Sequence, residues 1–229
     1  MASWMVHLRV AEGLLQKMED LSETEFIVGN IAPDSGVPNE DWSVFTPSSE
    51  LSHYSHRDEK GIKVIDIGKY ADSYLKKEQC ESYDKKQLSF YLGYYDHLMT
   101  DILWTTYVVT PLTQRDWEAY SQDQMAAVWK WKKDWYDLDF LYLQKHPDFH
   151  AFDVYEGAVG FRNTFLDYFA VDAFDNRRQY ITGFYRGGRE NLDREYPWLT
   201  EAQMDSFVEL AVEKIWEINT GLLAGKSKL

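Results

Sequence analysis

Thiol chemistry has almost no material in this chain. A single cysteine, Cys80, among 229 residues excludes an internal disulfide and any cysteine-cluster zinc site. Long apolar runs are missing too: none approaches the roughly 20 residues of a membrane-spanning helix. Basic residues are in deficit, 24 against 38 acidic ones, for a formal charge of −14. Such a field repels phosphate backbones and anionic membrane surfaces, so nucleic acid is not an expected partner and a single-strand nuclease is disfavoured. The same field attracts cations and, with thiols absent, favours a metal site of carboxylates and imidazoles. The stretch Met1 to Arg9 lacks a basic segment followed by an uninterrupted apolar core, so no secretory signal is expected and the protein is placed in the cytoplasm. The closing Ser227-Lys228-Leu229 would be a peroxisomal address in a eukaryote and is taken as coincidence.

What is present is apolar and aromatic. A hydrophobic content of 45%, with nine Trp, 16 Tyr and 12 Phe, excludes disorder and supplies a core for one domain over residues 1–229. Helical periodicity dominates. Trp4 to about Asp20 buries His7, Ala11, Leu14 and Met18 on one stripe, and Ser22 to Glu25 reads as a capping box for a short second helix. Gly29 to about His56, with Pro33, Pro38 and Pro47, predicts an ordered loop over the helices, given Trp42, Phe45, Leu51 and Tyr54 within it. Gly61 to Ile65 fits a short strand or the start of a helix reaching Glu78. Further helices are expected from about Asp84 to Val109, stopped by Pro111, and from Asp116 to Gln144 with a core face of Met125, Trp129, Leu138 and Leu141. Others run from Val154 to Phe169, from Asp172 to about Phe184, and from a Thr200 cap through Met204, Phe207, Ala211 and Ile215. The expected architecture is an all-α bundle of seven to nine helices.

The helix from Leu88 to Trp104 organises the rest. At 3.6 residues per turn Gly93, His97, Asp101 and Trp104 share one face, so an imidazole and a carboxylate at i and i+4 reach one cation from one rigid helix. Gly93 leaves room for a second backbone. Taken alone, the pair reads as a buried hydrogen bond that satisfies two core polar groups, and the other parts of the chain are what favour a metal. Other candidates are His7 on the first helix, and Asp34, His53 and His56 in the long loop; these are imidazole and carboxylate donors suited to zinc. Asp134, Asp137 and Asp139 are offered as extra ligands or a solvated acidic face, and His146 and His150 as exposed loop histidines.

The run Phe90-Tyr91-Leu92-Gly93-Tyr94-Tyr95-Asp96-His97-Leu98-Met99-Thr100-Asp101 resembles the metal-binding helix of the bacterial zinc-dependent phospholipase C family. Ser52-His53-Tyr54, Ile31-Ala32-Pro33-Asp34 and Val6-His7-Leu8 resemble that family's other ligand segments, in family order. The resemblance covers roughly residues 4–104. It implies that Asp34, His53, His97 and Asp101 hold one zinc, and that His7 with a bridging Asp101 holds a second. An N-terminal Trp chelates in the family, whereas Trp4 here is internal; the family's further two His and one Glu have no counterpart after Asp101, so fewer ions than the family's three are expected.

On that resemblance the expected activity is zinc-dependent hydrolysis of a small-molecule or lipid-head-group phosphoester, with paired ions activating water and Asp34 doubling as general base. Tyr54, Tyr94 and Trp104 are candidate pocket walls. The alternative is a non-catalytic zinc-binding or regulatory protein of the same fold, told apart by whether the ion keeps an open position.

Overall fold

The computed structural model describes residues 1–41, 43–59 and 63–224. Helices dominate, and two small hairpins are the only sheets among these residues. The order is α1 (Trp4–Leu15), α2 (Glu23–Gly29), a 3-10 turn (Ala32–Asp34), β1 (Val37–Pro38), β2 (Phe45–Thr46), α3 (Ser49–Ser52), β3 (Ser55–Arg57) and β4 (Lys63–Ile65). There follow α4 (Ile67–Tyr74), α5 (Lys77–Ser82), α6 (Lys85–Trp104), α7 (Thr110–Arg115), α8 (Trp117–Gln122), α9 (Gln124–Lys145), α10 (His150–Gly157), α11 (Ala173–Arg186) and α12 (Glu201–Leu223). The all-α class holds. The helices outnumber the seven to nine expected because short ones such as α3, α5, α7 and α8 are too brief to show a period.

Helix α6 is the axis of the core. Asp84 and Gln87 cap its start reciprocally, and Phe90, Leu92, Tyr94, Tyr95 and Leu98 on it have no exposure. A helix buried on nearly every side has neighbours all round it: α1, α2, α4 and α12 all pack on α6. The crossing with α2 is the tightest, because a Cβ at Gly93 would strike the Phe26 carbonyl and one at Gly29 the Phe90 carbonyl. Asp96, buried beside them, accepts from Asn219 Nδ2 at 2.9 and 3.1 Å and ties α6 to α12. Burial pushes its carboxyl well above the usual carboxylate range, against the Asn219 hydrogen bond.

Several boundaries differ from expectation for local reasons. Pro111 does not stop the chain's helical course: α6 passes through a π turn at Thr105–Val109, and Pro111 lies at the start of α7, where a missing N–H is tolerated. The helix expected from Asp116 is split at Asp123, whose carboxylate accepts the Ala126 N–H at 3.0 Å and caps α9. Met125 and Trp129 are 71% and 58% exposed, so the core face of α9 is instead Ala127, Trp131, Trp135 and Leu138. The helix expected to reach Phe169 ends at Gly157, and residues 158–172 run as loop around Asn163, whose side chain bonds the Leu166 and Phe169 carbonyls. At α2, the Ser22 hydroxyl donates to Glu25 at 2.5 Å in place of a full capping box. Lys63–Ile65 is a strand paired with β3; Trp42, Gly61, Ile62 and the terminal Ser227-Lys228-Leu229 lie outside the described residues.

Candidate metal centre

Three segments converge on the inner face of α6. Helix α1 brings His7, the 3-10 turn brings Asp34, and the C-terminal end of α3 brings His53 to His97 and Asp101. His7, His97 and Asp101 are at most 1% exposed and His53 2%. His56, the other histidine of that stretch, alternates outward on β3 and is exposed, which settles which of the two faces the cluster.

The donor atoms crowd one another. Nε2 of His53 lies 3.2 Å from Asp34 Oδ1 and 3.9 Å from Asp101 Oδ2. Nε2 of His97 lies 3.4 Å from His53 Nε2 and 3.8 Å from Asp101 Oδ2. The other oxygen of Asp101 is 3.5 Å from His7 Nε2, and the His7 and His97 rings stack at 3.8 Å, 6° from parallel. Ligands about 2.0–2.2 Å from a tetrahedral ion stand about 3.3–3.6 Å from each other. The Asp34–His53 and His53–His97 separations, 3.2 and 3.4 Å, approach those edge lengths, and Asp101 Oδ2 stands somewhat outside them at 3.8–3.9 Å from the two imidazoles.

Hydrogen bonding at the back of the His97 and His53 rings turns the Nε2 atom of each inward. Nδ1 of His97 donates to the Asn30 carbonyl at 2.7 Å, so its Nε2 carries the lone pair; Nδ1 of His53 is 3.0 Å from Ser52 Oγ. Both ring nitrogens of His7 and Asp101 Oδ2 are buried with no hydrogen-bond partner among the described residues. Unpaired buried polar atoms are costly, and a divalent cation is the ligand whose chemistry satisfies this set. Two groupings could hold an ion: His7, His97 and Asp101, and Asp34, His53 and His97. The residues fit zinc.

Burial, helped by His7, lowers His97 to about 3, which keeps its imidazole neutral at physiological pH. Burial would raise the carboxyls of Asp34 and Asp101, but their neighbours prevail. The His53 hydrogen bond and three imidazoles hold Asp34 below the usual range; the Met1 amine, His7 and His97 do so for Asp101. Asp101 Oδ1 also accepts the Ala2 N–H at 2.8 Å.

A cavity of about 160 Å³ opens onto this cluster at Asp34, His53 and Ala2. Its other walls include Trp4, Phe45, Trp135, Tyr136, Lys132 and Arg177. The aromatic groups differ from those expected: Tyr94 and Trp104 are fully buried core residues, Tyr94 donating to the Ser52 carbonyl and Trp104 packing edge-on against Trp135 and Phe207. Lys132 and Arg177 carry no motif and no period; only the fold brings them here.

The remaining candidates fall elsewhere. Asp134 and Asp137 are neither solvated nor near the cluster's ligands: Arg194 binds Asp134 at 2.8 Å and Asp137 at 2.6 Å, and Arg189 binds Asp137 at 2.8 Å. Asp139 accepts from Ser3 Oγ and Tyr185 OH, both at 2.8 Å. His150 pairs with Glu23 at 2.7 Å and is 62% exposed, and exposed His146 bonds the Tyr142 carbonyl. No helix of the described residues is long and apolar enough to cross a membrane.

Residues 6–156 match the family model described as zinc dependent phospholipase C. Neither the curated proteins nor the solved structures contain a match to the chain. The matched segment holds all five side chains of the cluster, and the chain belongs to the zinc-dependent phospholipase C family.

Proposed function

We propose that the chain is one helical domain and a zinc-dependent hydrolase of a small-molecule or lipid-head-group phosphoester. The observation that carries this reading is a set of buried, unpaired imidazole and carboxylate donors with a cavity at its edge. Asp34, His53, His97 and Asp101 Oδ2 would hold one ion. His97 serves only that ion, since Asn30 holds its other nitrogen. His7 and Asp101 Oδ1 would hold a second, with Asp101 bridging. Zinc bound there acidifies water and polarises a phosphoryl oxygen.

The chain's own groups orient and protect that chemistry. Asn30 holds His97 with its Nε2 lone pair inward, and Ser52 backs the His53 ring at Nδ1 so that its Nε2 faces the cluster. Asp34, 11% exposed, is the ligand that borders the cavity. Its depressed proton affinity keeps it ionised and able to accept a proton at neutral pH, while limiting its strength as a base. Trp4, Phe45 and Trp135 narrow the access of bulk water.

A second reading is a closed, structural ion whose every position is taken by protein ligands, which suits a binding protein without turnover; beside Asp34, His53 and His97 the fourth ligand it needs would be Asp101, 3.8–3.9 Å from the two imidazoles. Metal content per chain and turnover of a chromogenic phosphodiester separate the readings, in wild type, Asp101→Ala and His97→Ala checked by circular dichroism. Zinc and turnover lost together in folded variants support the hydrolase. Tight zinc without turnover across a phosphoester panel supports the second reading, and absence of zinc from the supplied wild type defeats both.

A further inference from the structure

Lys132 and Arg177 stand in the cavity wall, which they share with Asp34. Among the described residues neither forms an ion pair, although the chain has 38 acidic residues against 24 basic ones and pairs several of its other cations, such as Arg9, Arg178, Arg186 and Arg194. Arg177 is fixed: it is 7% exposed, it donates to the Gly36 carbonyl at 2.5 Å, and its guanidinium lies 6.0 Å from the Trp4 ring and 5.5 Å from the Tyr180 ring. Lys132 is half-buried, with its ammonium 5.0 Å from the Trp129 ring. Burial lowers the Lys132 ammonium, and the fields of Asp34 and Asp101 oppose that. Its charge is therefore felt where the metal ligands meet the cavity.

An aromatic-walled cavity would ordinarily suit a quaternary ammonium, held over ring faces. Here the chain's own guanidinium already lies against Trp4, and a second cation borders the same space. A cationic head group would meet two positive charges, whereas an anionic one would meet two donors already stripped of much of their water. Building on the phosphoester reading, the geometry points to Lys132 and Arg177 as an anion subsite, selecting phosphoesters whose head group bears a further negative charge, a phosphate or a carboxylate, over those bearing a quaternary ammonium. Lys132 is the better probe of the pair, because Arg177 also holds the backbone at Gly36.

The test compares wild type with Lys132→Met and Lys132→Arg, each with metal content per chain measured. Inorganic phosphate is titrated by calorimetry, and turnover is followed on two 4-nitrophenyl phosphodiesters ending in a carboxylate or a trimethylammonium. A charge-assisted contact of about 1.5–3 kcal/mol corresponds to roughly tenfold or more in affinity. Phosphate binding should weaken by about that factor in Lys132→Met and return in Lys132→Arg. Wild type should prefer the carboxylate diester, and Lys132→Met should lose that preference. Phosphate affinity and preference unchanged in Lys132→Met would overturn the subsite, as would a fall in metal content, which would make Lys132 a support for the ligands. If wild type turns over neither diester while phosphate binding still depends on Lys132, the subsite stands and the hydrolase reading fails.

Discussion

Ser52 Oγ lies 3.0 Å from His53 Nδ1, and this contact sets how the imidazole presents its other nitrogen. Partners behind a metal-binding histidine typically contribute 10–100-fold to affinity. Ser52→Ala should therefore weaken zinc binding by about tenfold in competition with a fluorescent chelator, with the circular dichroism spectrum unchanged; unaltered affinity would show that packing alone orients His53. Asp139 offers a second test at this scale. Burial lifts its carboxyl to about 7, against the hydrogen bonds from Tyr185 and Ser3. The folded chain thus keeps this proton while the unfolded chain releases it near 4, so Asp139 stabilises the fold at low pH and its contribution is lost as pH rises from about 4 to about 7. Asp139→Asn should gain on wild type across that window, by up to about 1.4 kcal/mol per pH unit in urea titrations. A constant difference between pH 5 and 7.5 would contradict the buried neutral acid.

The α2–α6 crossing does for the elements what hydrogen bonds do for residues. Gly93 lets the backbone of α2 lie against α6, and an added Cβ would meet the Phe26 carbonyl and come within 3.1 Å of the Asn30 nitrogen. Asn30 is the residue whose carbonyl holds His97, so the packing of the two helices and the aim of the ligand are one constraint. Gly93→Ala should cost about 1–3 kcal/mol in unfolding free energy, as overpacked cores do, and should also reduce zinc affinity. A stability loss with zinc affinity intact would uncouple them. The need for glycine at that position was legible from the sequence, since it falls one turn before His97 on the same face. The helix classes were legible for the same reason: long amphipathic runs such as α6 and α12 carry their period openly. The break at Asp123 was not, because one extended residue between two helical patterns leaves the period almost undisturbed. Burial of Asp134 and Asp137 was hidden because their partner, Arg194, lies about 60 residues away in a loop.

Across the whole molecule, the five side chains of the cluster come from residues 7 to 101, on four separate elements. An unfolded chain has no such site, so bound zinc acts on the folding equilibrium as a whole. At free zinc about 100 times its dissociation constant, the folded state should gain about 2.7 kcal/mol, read as a higher melting temperature that a chelator reverses. An equal melting temperature with and without chelator would argue against an ion at the cluster. That these residues belong together was visible in the sequence because each of the four segments bears its own short motif. The cavity's cationic wall was not, since Lys132 on α9 and Arg177 on α11 are far apart in sequence and only the fold places them in one wall.

Trp4 and Trp135 both stand in that wall, and the Trp4 indole lies beside the Arg177 guanidinium. The emission of an indole shifts with the charge and water around its excited state. Whatever enters the cleft must alter both, so the protein carries a built-in optical gauge of its own occupancy, readable without any label.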